Sequence, residues 1–437
     1  MKTVTSTQRQ LLDDGIIVYS RAIVYFQNED GTGAGSLTLT PENFRVSGNS
    51  FSQSAGASGF PLGAVLCKSI VLTISNQHDE YGDYNWERSH VRLFSDIYPS
   101  GISGSNQNLS REGDFYTSTV RYVQNAIEIT AYDMISLLNT PFYINNRNAG
   151  TGVKLYDTVW DYFVYLCNTV LRNRVGDLGT GDMYARHLNT DRFMNSTFSL
   201  NAIEPDMSAK TTLRDVFGYI AQLAGGNIVV TYDSIGARDV IDIIPYSLEH
   251  TEYTIYTGML FGETVTNTFD GGEFGETVTD VLQGGEVQNS TRVITLDHYQ
   301  TTPTMEYKDV KLTGVSVSYP VVNSNNNTAS TSSSSDNVLS LENPLLEIGE
   351  NTAENRARVQ ACVDNIYDAV CEKPIRPFEG TFYNNPLIEF MDNIIVVDGW
   401  GNAHNSFVTE HTYNYLGTSQ IANRVPTIAQ NKNVFFR

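Results

Sequence analysis

The stretch over residues 114–141 changes its pattern from strand to helix in mid-course, and this constrains the fold. Residues 115–123 and 126–131 carry the aromatic and β-branched side chains of two strands. Only the polar pair 124–125 separates them, which predicts a β-hairpin. Asp133 then precedes apolar residues at helical spacing and is placed as an N-cap. A strand pair therefore closes a β-unit and leads into a helical segment.

The chain before this hairpin also has the pattern of short strands joined by turns. Strands are predicted at residues 16–26, 36–39, 44–51, 65–74 and 91–94. Turn-rich and Ser/Gly-rich loops separate them. Such spacing is typical of a closed barrel or a sandwich. We therefore expect a first β-domain over residues 1–141.

Residues 142–246 change to a mixed pattern of helices and strands. A first helix is predicted from residue 151 onward, with apolar residues on a broad face. A second helix begins at Thr211 or Thr212, which act as alternative caps, and ends at Gly225. Its apolar residues follow helical spacing, and its buried stripe is predicted to comprise Leu213, Phe217, Ile220 and Leu223. Strands at 227–231 and 239–244 complete a small α+β domain.

Residues 247–437 return to strands, with one inserted helix. Strands are predicted at 293–296, 309–319, 378–383, 394–397 and 406–416, and the helix at 352–372. Two copies of a 13-residue repeat, over 261–286, favour a pair of surface turns over a dedicated binding element. The Ser/Asn-rich segment 323–337 has no apolar residue except Ala329 and is predicted to be a mobile loop. We expect a second β-domain here.

The composition excludes several classes of protein. Lys and Arg number 28 against 49 Asp and Glu, a net charge of −21, which repels phosphates and argues against a nucleic-acid-binding enzyme. The hydrophobic fraction of 41% excludes bulk disorder. No secretory signal and no stretch near ~18 apolar residues is present, so we expect a protein made in the cytoplasm without a membrane segment.

The residues that could carry chemistry form no complete motif. His404 and His411, with Glu410 beside the second, could form a metal pair, but exposed hairpin positions are favoured. The acidic group Asp79, Glu80 and Asp83 lacks EF-hand spacing, which favours a solvated turn over a calcium site. The sequence therefore predicts no catalytic, cofactor or metal residues.

The four cysteines are predicted to be free thiols. Cys67, Cys167, Cys362 and Cys371 lack metal-type spacing. Cys167 is predicted to lie on an apolar helix face, where thiols are usually inert. The last two are nine residues apart on one predicted helix, which places them on opposite faces ~13 Å apart and prevents a disulfide.

Two stretches carry a resemblance to a known family. Residues 60–86 (FPLGAVLCKSIVLTISNQHDEYGDYNW) and the stretch 114–141 resemble the tail hub proteins of bacteriophages and phage-derived particles that infect Gram-positive bacteria. The shared features are the LGAV turn at 62–65, the apolar strand and Asn/Asp/Tyr-rich turn that follow it, and ITAYD at 129–133. The closing segment 385–417 is similar to the family's ending.

The resemblance implies an α+β, mainly β fold, with two tail-tube-like β-barrel domains bracketing a small α+β domain. It implies a non-enzymatic homotrimer that joins the hexameric tail tube to a threefold tip or spike and forms part of the DNA-ejection channel. The implied partners are a tail tube or distal tail protein, a tape-measure protein and a tip or spike protein. The implied location is the virion, after assembly in the host cytoplasm, and no cofactor or specific nucleic-acid binding is implied.

Two alternatives stay open: a tail-associated peptidoglycan hydrolase, and a carbohydrate-binding receptor module. Any two of the 49 acidic residues could converge as a glycosidase pair, but nothing in the sequence selects such a pair. The chain ends at Arg437, after its closing β-domain, so we expect no wall-degrading module.

Overall fold

The structure is a computed structural model, and it describes part of the chain. The described residues are 18–29, 31–45, 47–54, 60–97, 107–171, 193–203, 210–233, 238–246, 248, 253–256, 292–294, 299–383, 386–398, 400–414 and 418–425. The repeat predicted at 261–286 lies outside them, so its interpretation as surface turns stays a prediction.

Strands dominate the described part of the chain. In chain order they are β1 (Val18–Gln27), β2 (Gly33–Leu39), β3 (Ser50–Ser54), β4 (Ser69–Ser75), β5 (Ser89–Ile97), β6 (Gln107–Tyr122), β7 (Ala126–Tyr132), β8 (Gly226–Asp233), β9 (Arg238–Pro245), β10 (Tyr253–Tyr256), β11 (Arg292–Ile294), β12 (Tyr299–Met305), β13 (Gly314–Tyr319), β14 (Asn327–Ser332), β15 (Val338–Glu342), β16 (Phe378–Tyr383), β17 (Asn393–Val397), β18 (Ala403–Phe407), β19 (Glu410–Asn414) and β20 (Thr418–Asn423). The α-helices are α1 (Val159–Tyr165), α2 (Leu213–Leu223) and α3 (Ala353–Val370). The predicted mainly β fold is confirmed.

An antiparallel sheet of eleven strands organises the molecule. Its order is β12-β16-β20-β19-β3-β4-β7-β6-β5-β1-β2. Strands from the beginning and the end of the chain meet where β3 pairs with β19, and there the rings of Phe51 and Tyr413 stack at 4.7 Å. Among the described residues β12 and β2 are the two edges, so this sheet is open and no closed barrel is seen.

The predicted hairpin between β6 and β7 is confirmed. Gln124 and Asn125 both have positive φ, 34° and 57°, and Val123 and Ala126 exchange two backbone hydrogen bonds of 2.9 Å. This is the geometry of a two-residue turn that matches the twist of the strands. Asp133 caps the following segment by accepting a hydrogen bond from the Ile135 amide, and the segment is a short 3₁₀ helix.

Helix α2 also follows its sequence signals. Thr212 accepts a hydrogen bond from the Asp215 amide while the Asp215 carboxylate accepts one from the Thr212 amide, which is a capping-box arrangement. The predicted stripe of Leu213, Phe217, Ile220 and Leu223 is fully buried, and so is Val216. The turn at Gly225, with φ of 66°, ends the helix, and β8 and β9 pair antiparallel as predicted.

Helix α1 begins later than predicted. It starts at Val159, capped by Thr158, and Leu166–Leu171 continues it as a π-helix. Val153 and Leu155, assigned to the helix from their spacing, are instead 62% and 45% exposed. The Thr158 side chain exchanges hydrogen bonds with Asp161 and so fixes where the helix begins. The helical spacing of Val153 and Leu155 therefore has no structural meaning.

The segment 323–337, predicted to be a mobile loop, contains a strand instead. Asn327–Ser332 forms β14 and pairs with β13, with Ala329 turned into the core at 6% exposure. From α3, Gln360 donates to Thr331 at 2.8 Å. Composition predicts only how much apolar surface a segment can bury. Here, backbone pairing and polar contacts from the neighbouring helix order a strand with one core residue.

The predicted strand at 406–416 is two strands in different sheets. β18 belongs to a four-stranded sheet of order β11-β10-β17-β18, whereas β19 joins the large sheet. The chain crosses between them at Val408, whose amide donates to Asp392, and Thr409, whose amide donates to Ala422. The predicted helix at 352–372 is confirmed as α3, which packs on β13 and β14.

Candidate functional site

The LGAV turn at residues 62–65 joins the large sheet to the α+β region. Its backbone runs alongside β8: the Gly63 amide donates to Gly226 at 2.9 Å, and the Leu66 amide donates to Ile228 at 2.9 Å. The Ile228 amide donates back to Ala64 at 2.8 Å. The turn therefore acts as a short added strand beside the β8–β9 hairpin.

Glycine is required at position 63 by geometry. Its φ is 79°, and a Cβ there would lie 2.4 Å from Cγ of Gln222 and 3.0 Å from the Gly218 carbonyl oxygen on α2. Gly218 makes the reciprocal approach, since its own Cβ would lie 3.0 Å from the Gly63 carbonyl oxygen. Two backbones thus pass each other closely, and at position 63 the positive φ adds to the need for glycine.

A buried cluster of charged side chains forms a second connection between the large sheet and the α+β region. Asp114 on β6 is bound by Arg92 at 2.9 Å and Arg111 at 2.7 Å. Asp239 on β9 accepts from the Asp114 amide at 2.7 Å and pairs with Arg111 at 3.1 Å. Burial, followed by the neighbouring Asp114 carboxylate, raises the pKa of Asp239.

The geometry of this cluster is that of a structural connection between the large sheet and the α+β region and not of a reaction centre. Both aspartates are 3% exposed, so a substrate has no access to their oxygens. Two guanidinium groups balance the two carboxylates, as a buried ion cluster requires. Arg111 also lies over the Tyr232 ring at 4.3 Å, which adds a contact to β8.

His90 lies beside the cluster as a buried neutral ring. It is 3% exposed and stacks on Tyr25 with centroids 4.7 Å apart. Among the described residues neither ring nitrogen has a hydrogen-bond partner. Burial lowers the pKa of His90 below its ordinary 6.5, so the ring adds no charge to the buried cluster near neutral pH.

The prediction that His404 and His411 are exposed hairpin residues is wrong, since the His404 side chain is 15% exposed and His411 is fully buried. His411 on β19 is buried, with Nδ1 3.0 Å from the Ile388 carbonyl oxygen. His404 on β18 lies between Asp398 at 3.4 Å and Asp309 at 3.6 Å. Within the described part of the chain no group of three or more potential metal ligands converges.

The hairpin that carries His404 presents a large aromatic side chain. Trp400 is 85% exposed, and its amide donates to the Asp398 carboxylate at 2.9 Å. Burial raises the pKa of Asp398, but hydrogen bonds from Asn402 and Trp400 outweigh it and bring the pKa to about 2. That carboxylate therefore stays ionised and fixes the turn.

The cysteines are free, as predicted. Cys167 is fully buried, and burial raises the pKa of its thiol well above the ordinary value. A thiol in that state is a poor nucleophile.

Three turns meet at one end of the large sheet, which we call the acidic end: residues 28–29 with 31–32, residues 76–88 and residues 123–125. The Asn76 amide donates to Asn125 at 2.7 Å, and Phe26 and Tyr84 stack at 4.8 Å. Among the described residues of these turns, the exposed carboxylates are those of Glu29, Asp79, Glu80, Asp83 and Glu87. The solvated turn predicted at Asp79, Glu80 and Asp83 is confirmed.

Apolar side chains are exposed at the same end of the sheet. Tyr122 is 63% exposed, Val123 47% and Tyr84 38%. Sequence reasoning did not find this surface because the three turns are far apart along the chain. The available signal was the pair of bulky residues directly before the polar turn at 124–125.

Comparisons with known proteins gave matches among solved structures only; no protein-family model and no curated protein matches the chain. A prophage tail protein, gp18 from Listeria monocytogenes, is 12% identical with a TM-score of 0.43, over 93% of this chain and 96% of that chain. A chain of the Francisella PdpA–VgrG complex is 9% identical with a TM-score of 0.43, over 95% of this chain and 60% of that chain. A chain of the phage P2 virion baseplate is 9% identical with a TM-score of 0.32, over 92% of this chain and 98% of that chain. The similar structures are thus phage tail and baseplate proteins and a VgrG complex.

In the described part of the chain, no helix has the length and apolar character needed to cross a membrane.

Proposed function

We propose that this chain is a structural, non-enzymatic hub at the distal end of a phage or phage-like tail. The proposal starts from the motif resemblance of residues 60–86 and 114–141. The LGAV turn of these motifs pairs with β8 of the α+β region, and the ITAYD strand pairs with β4 inside the large sheet. The residues that carry the resemblance therefore hold the architecture together.

The observation that carries the proposal is the pairing of β3 with β19. It joins strands from the first and last parts of the chain into one sheet, with Glu410 opposite Ser54 and Asn414 opposite Ser50. The LGAV turn and the buried charge cluster fix the α+β region to that sheet. A hub that transmits force between a tube and a tip needs its β-regions joined in this way.

The finer organisation follows from the resemblance and is part of the proposal. The domains are 1–141, 142–246 and 247–437, and the first and last form tail-tube-like barrels when assembled. Three copies, each with two such barrels, would match a hexameric tube to a threefold tip. The partners would be the tube or distal tail protein, the tape-measure protein and the tip or spike protein, in a virion assembled in the host cytoplasm.

The net charge suits a hub through which a genome passes. An acidic lumen repels DNA phosphates over about a Debye length, ~8 Å at physiological salt, and keeps them off the wall. Acid that serves only solubility would be spread over the exterior instead. A map of the assembled ring with Asp and Glu facing the channel is expected, and a neutral or basic lumen would remove this part of the proposal.

Two assays separate the proposal from its alternatives. A zymogram on purified cell walls is expected to show no clearing, whereas a cleared band would favour the peptidoglycan hydrolase. A glycan pull-down is expected to retain no more of this chain than an unrelated acidic protein, whereas specific retention would favour the receptor module. Immunogold labelling of intact particles should place the chain at the distal end of the tail.

A further inference from the structure

The acidic end combines exposed apolar side chains with a surplus of negative charge. In the part of this surface that the structure describes, five exposed carboxylates are opposed by Arg45, Arg88 and Arg121. Arg121 is already engaged, 3.7 Å from Glu128, and the Arg45 side chain donates to the Gln124 carbonyl. The described part of the acidic end is therefore negative overall.

The exposed apolar group is held in a fixed position. Tyr122 and Val123 directly precede the two-residue turn at 124–125, whose backbone hydrogen bonds are both formed. The adjoining turn is fixed by the Trp86 indole, which donates to the Tyr81 carbonyl at 2.9 Å, and by Asn43, which donates to the Tyr81 hydroxyl at 3.0 Å. A preordered apolar centre with a charged rim loses little conformational entropy on binding.

We propose that the acidic end is a docking surface for a different protein, one that presents an apolar segment bordered by lysine and arginine. Charge complementarity selects this occupant. The same surface of a second copy would bring another surplus of carboxylates, and a nucleic acid would bring phosphates. A cation at Asp79 would compete with Asn76, which donates to that carboxylate at 3.2 Å. This inference goes beyond the proposed hub role and does not depend on it.

The test replaces Tyr122 with a photoreactive benzophenone amino acid in the full chain, made in cells that also make its native partners. Irradiation should join the chain to a different polypeptide through a peptide with Lys or Arg beside apolar residues. Glu80→Lys combined with Asp83→Lys should lower the yield at least tenfold, and so should high salt without any substitution. Equal melting temperatures would show that the charge-reversed chain is folded.

The matched control places the same photoreactive residue at Tyr307, which is 88% exposed and follows the opposite edge strand, β12. It should not capture the same polypeptide. The proposal is overturned by a crosslink only to a second copy of this chain or to a glycan. It is equally overturned by a yield at position 122 no higher than at 307, or by a yield that charge reversal and salt leave unchanged.

Discussion

Replacing Gly63 with alanine tests whether the LGAV turn fixes the α+β region to the sheet. The φ of 79° is in a region that costs an L-residue about 1–2 kcal/mol. The new Cβ would lie 2.4 Å from Gln222 and 3.0 Å from the Gly218 carbonyl oxygen, and overpacking of this kind costs about 1–3 kcal/mol. Alanine also restricts the conformations of the unfolded chain, which offsets ~0.4–1 kcal/mol of this destabilisation. We expect a net loss of about 2–4 kcal/mol in the free energy of unfolding.

Gly31→Ala is the matched control. Its φ is 83°, but nothing lies within 4 Å of the added Cβ, so it reports the backbone cost alone. Gln222→Ala in the Gly63→Ala background should recover about 1 kcal/mol as coupling, because it removes the shortest contact. Urea unfolding followed by both fluorescence and circular dichroism gives the free energies. If Gly63→Ala destabilises no more than Gly31→Ala, within ~0.5 kcal/mol, the close approach is not what the motif provides.

Three further changes test other parts of the account. Phe217→Ala should lower the free energy of unfolding in urea by about 3–5 kcal/mol because the ring is fully buried. The control Tyr307→Ala should change it by no more than ~0.5 kcal/mol. Similar losses in the two variants would show that α2 is misplaced. A Gly/Ser linker in place of residues 327–332 should lower the thermal midpoint by ~5 °C or more through lost pairing with β13, and an unchanged midpoint would restore the loop interpretation. The lowered pKa of His90 means that the unfolded chain binds the proton more readily, so wild-type stability should fall as pH drops below 6.5. His90→Gln should flatten that slope between about pH 7 and 5, and an unchanged slope would assign it to other groups.

Local signals predicted the elements whose stabilising contacts are close in sequence. The hairpin at 124–125 and the capped helix α2 are specified by residues within a few positions of one another. Chain-distant contacts left no such signal. Nothing in residues 50–54 indicates pairing with β19, and nothing around Asp114 indicates a carboxylate partner 125 residues away.

The candidate surface shows the same division. The acidic turn at 76–88 was recognised from its composition, and its exposure followed from that. Its proximity to Tyr122 depends on β4 and β7 being neighbours, with Ser75 opposite Ala126. Pairing of strands separated by two others cannot be read from local periodicity. The error at β14 has the same origin, since α3 supplies the contacts that order that strand.

The central claim is that this chain forms the hub of a tail, and cryo-electron microscopy of intact particles tests it most directly. The account predicts three copies around the tail axis, between the tube and the tip, with β3 and β19 paired within each copy. Finding the chain as a single copy, or only at the periphery of the particle, or absent from it, would contradict the hub assignment.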